Sequence, residues 1–219
     1  MRAETAGRLI AIGDIHGCYN LLTDLVERSI IFDPSKDRLV FLGDYIDRGP
    51  RSREVVDYIS GLRKRYPEQI VLLKGNHEEM AFNALAGNQT EKTEPDAHML
   101  WIFNGGQATI NSYRGIEKAR EALLPFIRSL ENYSETETHI FVHGGIPYGK
   151  TLNTVEGDEL LWDRSLSYEG QKTLVVGHTP RAEVERLGNI LCLDTGAYAT
   201  GILSAYDVLA NRVYQVKAI

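Results

Sequence analysis

The sequence predicts an α/β protein made of two packed β-sheets with helices on the outside. Three observations carry that expectation. Apolar runs of about four residues end abruptly at glycine and then at polar side chains, the pattern of strands buried on both faces. In the first half, three such runs are each followed by apolar residues at helical spacing, which implies right-handed crossovers and a parallel sheet. In the second half the runs recur with few helical stretches between them, which implies a second, mixed sheet face to face with the first.

Leu9 to Ile12 is the first strand, ending at Gly13-Asp14-Ile15-His16-Gly17-Cys18, and Leu21, Leu22, Leu25 and Val26 then mark a helix face. Asp33-Pro34-Ser35-Lys36-Asp37 is a turn by composition. The organising stretch is Leu39 to Gly49, where an apolar run stops at Gly43 and delivers Asp44, Asp47 and Arg48. Pro50 suits the first turn of the next helix, whose apolar stripe is Val55, Val56, Ile59 and Leu62. Gln69 to Leu73 is the third strand and leads into Lys74-Gly75-Asn76-His77-Glu78-Glu79. Three polar turns therefore lie side by side, where open α/β sheets keep their ligand crevice, outside the carboxyl ends of the strands.

From Met80 to Tyr133 the pattern changes. Asn88 to Asp96 reads as a polar loop, and residues 80–135 as a mainly helical insertion overhanging the site within a single domain spanning 1–219. Trp101 and Phe103 are expected in the insertion's core, and Pro125 is expected to break or restart its last helix. Strands resume at His139 to Val142, ending at His143-Gly144-Gly145, and at Thr173 to Val176, ending at Gly177-His178-Thr179-Pro180. Asn189 to Leu193 leads to Asp194-Thr195-Gly196, and Gly201 to Asp207 with Arg212 to Val216 reads as a closing hairpin.

Composition narrows the function classes. At 219 residues the chain can bury a full core without staples. A net charge of −6 without a lysine or arginine run argues against nucleic-acid binding. No stretch approaches the ~20 apolar residues of a membrane span, and the polar start lacks a signal segment, so a cytoplasmic protein is expected. Cys18 and Cys192 are too far apart for a Cys-x-x-Cys site, and Cys18 is expected to pack rather than react.

The residues at the strand ends define a chemistry. Asp14, His16, Asp44, Asn76, His143 and His178 offer oxygen and imidazole donors without thiolate, a set suited to manganese, iron, zinc, cobalt or nickel. Six ligands are too many for one catalytic metal with an open position and a natural count for two divalent metals sharing a bridge, with Asp44 the best bridging carboxylate. Two such metals ~3.5 to 4 Å apart lower the pKa of a bridging water and clamp an in-line phosphoryl displacement. Arg48 and Arg164 are then fork-shaped donors for the substrate phosphate. His77 is placed to protonate the leaving group, with Asp47 orienting its ring. His98 and His139 are expected to be ordinary hydrogen-bonded surface histidines.

Gly13-Asp14-Ile15-His16-Gly17, Gly43-Asp44-Tyr45-Ile46-Asp47-Arg48-Gly49, Gly75-Asn76-His77-Glu78, His143-Gly144-Gly145 and Gly177-His178-Thr179-Pro180 together resemble the ordered motif set of the phosphoprotein phosphatase (PPP) family of calcineurin-like metallophosphoesterases, in its compact bacterial and phage serine/threonine phosphatase form. The resemblance implies a four-layered αββα sandwich of two mixed β-sheets and a metal-bridged hydroxide as nucleophile. It implies that Asp14, His16 and Asp44 hold one metal and Asp44, Asn76, His143 and His178 the other, with manganese the usual metal. It also supports His77 as acid, Asp47 as its partner, and Arg48 and Arg164 as phosphate ligands.

The expected function is a metal-dependent phosphomonoesterase acting on phosphoserine or phosphothreonine in a protein or peptide. The competing reading is a symmetrical diadenosine tetraphosphate hydrolase. Those enzymes typically carry Gly-His-Trp where this chain has Gly177-His178-Thr179, and Asp-Thr-Gly-Cys where it has Asp194-Thr195-Gly196-Ala197. A non-enzymatic metal-binding scaffold is a third reading, and it expects loss of the acid or the phosphate clamp. His77, Asp47, Arg48 and Arg164 are all present.

Overall fold

In the computed structural model, which describes residues 7–86 and 97–218, alternate residues of a strand enter different cores. Ile10 and Ile12 pack with Leu22, Leu25, Val55 and Ile59, whereas Leu9 and Ala11 pack with Phe141, Val175 and Leu191. Side chains of a strand point alternately to its two faces, so a strand apolar at every position belongs between two layers.

The first half contains β1 (Leu9–Ile12), α1 (Tyr19–Thr23), a wider π-helical continuation (Asp24–Ile30), β2 (Arg38–Phe41), α2 (Ser52–Arg65), β3 (Ile70–Leu72) and α3 (Asn76–Leu85). After residues 87–96 come α4 (Ala97–Trp101), a π-helical turn (Ile102–Gly106), α5 (Gln107–Ser112) and α6 (Ile116–Arg128). The second half contains β4 (Tyr133–Glu135), β5 (His139–Val142), α7 (Glu159–Trp162), β6 (Thr173–Val176), β7 (Glu185–Leu187), β8 (Ile190–Cys192), α8 (Ala197–Thr200), β9 (Ile202–Asp207) and β10 (Arg212–Lys217).

Two five-stranded sheets result, ordered β10-β9-β1-β2-β3 and β4-β5-β6-β8-β7. In the first, β1, β2 and β3 are parallel, with Ile10 opposite Leu39 and Leu39 opposite Ile70. In the second, β5, β6 and β8 are parallel, with antiparallel edges β4 and β7. Three apolar cores separate four layers, as the αββα expectation requires. One lies under α1, α2, α3 and α6, one lies between the sheets, and one joins β5, β6 and β8 to Leu160 and Ile146. The outer layer over the second sheet is thin, its helix being the single turn α7.

Several expectations are corrected. The closing hairpin lies in the first sheet, because β9 pairs antiparallel with β1 at Ile10 opposite Asp207. Pro125 does not interrupt its helix: α6 runs through it and ends three residues later. A proline that close to a helix end removes one internal hydrogen bond, and the buried Leu123, Phe126 and Ile127 hold the last turn in place. Phe103 is 83% exposed, while Trp101 is fully buried. His139 is buried and its Nδ1 lies 2.8 Å from Thr138 Oγ1. The edge strands β4 and β7 carry no apolar run and were not expected. The loop expected at Asn88 to Asp96 lies outside the described residues. No helix of the described residues is long and apolar enough to cross a membrane.

Candidate dinuclear metal and phosphate site

The parallel strands place the site. Asp14 follows β1, Asp44 follows β2, Asn76 opens α3 beyond β3, His143 follows β5, His178 follows β6 and Asp194 follows β8, all at carboxyl ends and all buried. The tight turns needed to aim these side chains inward are visible in the backbone. His16, Asp44, Asp47, Arg48 and His178 have φ of 44°, 51°, 71°, 66° and 62°. Non-glycine residues in this left-handed region cost on the order of 1 to 3 kcal/mol each and persist only where the surroundings enforce them. Two glycines supply clearance: a Cβ on Gly75 would collide with Asp44, and one on Gly177 would collide with the Asp14 carboxylate.

Glu78, to which the sequence reading assigned no role, enforces the Asp44 turn. Its Oε2 accepts from the N–H groups of Asp44 (2.9 Å) and Gly75 (3.0 Å), and its Oε1 accepts from Tyr45 (2.8 Å) and Ile46 (3.3 Å). One buried carboxylate thus satisfies four amides of two strand-end loops.

Inside these loops, hydrogen-bonding atoms of several strand ends crowd together. His143 donates its Nδ1–H to the Leu42 carbonyl at 2.9 Å, so its Nε2 carries a lone pair. That Nε2 lies 3.0 Å from Asn76 Oδ1 and 3.3 Å from Asp44 Oδ1. His178 Nδ1 is also 3.0 Å from Asn76 Oδ1, and its buried Nε2 has no hydrogen-bond partner among the described residues. On the other side His16 donates its Nδ1–H to the Ile46 carbonyl at 2.8 Å, and its Nε2 lies 3.3 Å from Asp44 Oδ2. Ligand atoms of His16, Asp44 and His77 fall within 4.8 Å of one another, as do those of Asp44, His143 and His178. Asp44 belongs to both groups, one oxygen facing each.

Charge balance asks for cations. Asp14, Asp44, Asp47, Glu78 and Asp194 are all buried here. Burial, together with the charges of Asp194 and Asp44, holds the Asp14 carboxyl well above its usual range. Burial lowers His143, and burial with the neighbouring His143 pushes His178 down to about 3, so both imidazoles are neutral and able to donate lone pairs. Buried acceptors with excess negative charge and neutral imidazoles fit a pair of divalent cations. Asp14 stands beside the two groups with its carboxylate accepting from the backbone N–H of His178 at 3.0 and 3.2 Å.

Around this centre stand the other expected residues. His77 Nδ1 lies 2.7 Å from Asp47 Oδ2 and its Nε2 lies 3.9 Å from Asp44 Oδ2. Burial disfavours a charged His77, and the carboxylates of Asp44 and Asp47 outweigh that and raise it. Arg48 donates Nη1–H to His16 Nε2 at 2.7 Å, and its guanidinium lies 4.7 Å from the centroid of the Tyr198 ring. Arg164 donates to the His178 carbonyl at 3.2 Å, which places it at the same mouth. Two half-exposed aromatics flank the opening: Trp162, 6.1 Å from the His178 ring, and Tyr198, 5.4 Å from the His16 ring.

Asp47 has partners that no local pattern announces. Its Oδ1 accepts from Thr109 Oγ1 at 2.7 Å, and both its oxygens lie 3.0 Å from Trp101 Nε1. The one local signal is the run Trp101 to Thr109, of which the expectation placed Trp101 and Phe103 in the insertion's core and gave Thr109 no role.

Comparison with known proteins agrees with this architecture. The chain is 32% identical over 207 residues to serine/threonine-protein phosphatase 1 of Salmonella typhimurium, covering 88% of each chain. It is 26% identical to an asymmetrical bis(5'-nucleosyl)-tetraphosphatase of Geobacillus sp., over 89% of this chain and 88% of the relative. In fold it resembles a protein serine/threonine phosphatase from Saccharomyces cerevisiae, with a TM-score of 0.69 and 18% identity over 100% of this chain and 82% of that one. The family model for calcineurin-like phosphoesterases matches residues 7–213. With strand-end acceptors gathered around Asp44 and a family match spanning nearly its whole length, the chain belongs to the calcineurin-like phosphoesterase family.

Proposed function

We propose that this protein is a metal-dependent phosphomonoesterase whose substrates are phosphoserine or phosphothreonine side chains of proteins. The observation that carries the reading is that Asp44 belongs to two groups of close side chains, one with His16 and His77 and one with His143 and His178, with Arg48 on the same rim. Asp14, His16 and Asp44 would hold one divalent cation, and Asp44, Asn76, His143 and His178 a second, with manganese the leading metal. Bound there, the pair would supply Lewis acidity toward solvent and toward the phosphoryl oxygens.

The remaining steps belong to the chain. Arg48 and Arg164 present paired N–H donors to the phosphate oxygens and fix the ester for in-line displacement. His77 gives its Nε2 proton to the departing alkoxide oxygen, which a serine or threonine leaving group needs. Asp47 holds the Nδ1 side of that ring and stabilises the imidazolium before transfer. The buried strand ends exclude bulk water and strengthen each of these interactions.

The second reading, hydrolysis of diadenosine tetraphosphate, draws support from the 26% identical tetraphosphatase relative, which is named asymmetrical where the sequence pointed to a symmetrical hydrolase as the alternative. Side-by-side turnover of a phosphoserine peptide, a phosphotyrosine peptide and diadenosine tetraphosphate with added manganese decides between them. The proposal expects the phosphoserine peptide to lead, and exclusive hydrolysis of the dinucleotide overturns it.

A further inference from the structure

The buried surroundings of Asp47 contain more hydrogen-bond donors than an orienting carboxylate needs. Its backbone N–H reaches Thr109 Oγ1 at 2.9 Å and Ser52 Oγ at 3.1 Å, while Thr109 returns its own O–H to Oδ1 at 2.7 Å. Trp101 Nε1 sits 3.0 Å from both carboxylate oxygens. Trp101, Thr109, Ser52, Asp47 and His77 are all sealed from solvent. Trp101 closes α4 and Thr109 lies in α5, so both donors come from the helical segment after residue 96, more than fifty residues from the carboxylate they grip.

A carboxylate with one partner can rotate about χ2 and swing a hydrogen-bonded imidazole with it. Here the Thr109 bond fixes Oδ1 and the indole N–H is shared equally between the two oxygens. The remaining direction of Oδ2 is toward His77 Nδ1. Asp47 is also anchored at its amide, which holds a residue with φ of 71° in place. The Gly106 backbone lies against the Trp101 ring, where a Cβ would collide, so the indole is itself held in register.

We infer that Trp101 and Thr109 are positioning residues for leaving-group protonation: acting through Asp47, they fix His77 so that its Nε2 faces the departing oxygen. The inference rests on the proposed role of His77 as acid and adds that the helical segment 97–112 completes the acid rather than only overhanging the site. The function of the acid depends on a carboxylate held by residues that touch neither substrate nor metal.

The test compares phenyl phosphate, whose leaving oxygen is basic and needs a proton, with 2,4-dinitrophenyl phosphate, whose leaving group departs as the anion. The readout is the ratio of kcat for the two esters in manganese-loaded protein, with metal content measured alongside. His77→Asn serves as the reference for loss of the acid. Thr109→Val, which keeps the shape and removes the hydroxyl, and Trp101→Phe, which removes the N–H, should each raise the dinitrophenyl-to-phenyl ratio at least tenfold, short of the change of about 10² to 10⁴ that loss of the acid itself brings. Thr109→Ser should restore the ratio to within about threefold of wild type, a rescue that packing alone does not produce. Equal losses on both esters, or an unchanged ratio in both Thr109→Val and Trp101→Phe while His77→Asn raises it, overturn the positioning role and leave His77 as acid. An unchanged ratio in His77→Asn itself overturns both.

Discussion

Asp44 Oδ1 lies 3.3 Å from His143 Nε2, and both atoms present electron pairs because His143 Nδ1 spends its proton on the Leu42 carbonyl. The other Asp44 oxygen faces His16 Nε2 at the same distance. The Arg48 guanidinium already meets the His16 lone pair, whereas His143 Nε2 faces only the oxygens of Asn76 and Asp44, and acceptors this close repel unless a cation lies among them.

Asp44→Asn therefore removes the charge that both halves of the site share. The expected result is a drop in bound metal to less than one equivalent per chain, read by elemental analysis after gel filtration. Two full equivalents in the variant would remove Asp44 as the bridge.

His77→Asn keeps the strand-end acceptors and loses the proton donor. Metal content should stay at the wild-type level while turnover of a phosphoserine peptide falls by roughly 10² to 10⁴. Wild-type turnover on that substrate excludes His77 as the acid.

Arg48 occupies the lone pair of a proposed ligand, donating to His16 Nε2 at 2.7 Å. One lone pair cannot serve a guanidinium and a cation together, so a metal held by His16 would release Arg48 for its proposed role on the phosphate. Arg48→Ala should leave metal content intact and lower kcat/KM by about 10²-fold, the worth of two charge-assisted hydrogen bonds. An unchanged kcat/KM for p-nitrophenyl phosphate rules out phosphate contact.

Away from the site, Arg8 ties the start of β1 to four neighbours. It pairs with the buried Asp37 and donates to the Ile30 and Ile31 carbonyls and to Tyr214. Burial pushes the Asp37 carboxyl up, and the hydrogen bonds from Arg8 and from the Asp33 amide outweigh it, so the net direction is down. A carboxylate lowered in the folded state adds stability above its unfolded pKa of ~3.9, and that stability is lost as pH falls through the lower folded value. Arg8→Ala should cost about 1 to 3 kcal/mol at pH 7, measured by urea unfolding, and should flatten the acid limb of stability below about pH 4. An acid limb identical to wild type contradicts the pairing.

Burial pushes the Cys18 thiol up to about 11. Native alkylation by iodoacetamide at pH 8 should then run about 10²-fold slower than for a free thiol, because the thiolate is the reactive form. Alkylation at the free-thiol rate would reopen a redox role for Cys18.

The donor set was legible because four of its six members directly follow a glycine at the end of a buried strand, Asp14 after Gly13, Asp44 after Gly43, Asn76 after Gly75 and His178 after Gly177, and the other two, His16 and His143, directly precede one. A chain that must leave a sheet and point a polar side chain inward announces itself locally. Glu78 was adjacent to that pattern, yet its task of collecting four amides depends on two loops meeting, which no window of sequence contains.

By itself the sequence determined the strand tips, their donor types and the parallel core, since these follow from apolar periodicity and turn chemistry within short windows. Only tertiary structure decided that β9 pairs with β1, that the helix carrying Pro125 continues, and that Trp101 and Thr109 close on Asp47. Those outcomes depend on which distant surfaces exclude water from each other, and an amphipathic helix specifies that a face will be covered without specifying by what.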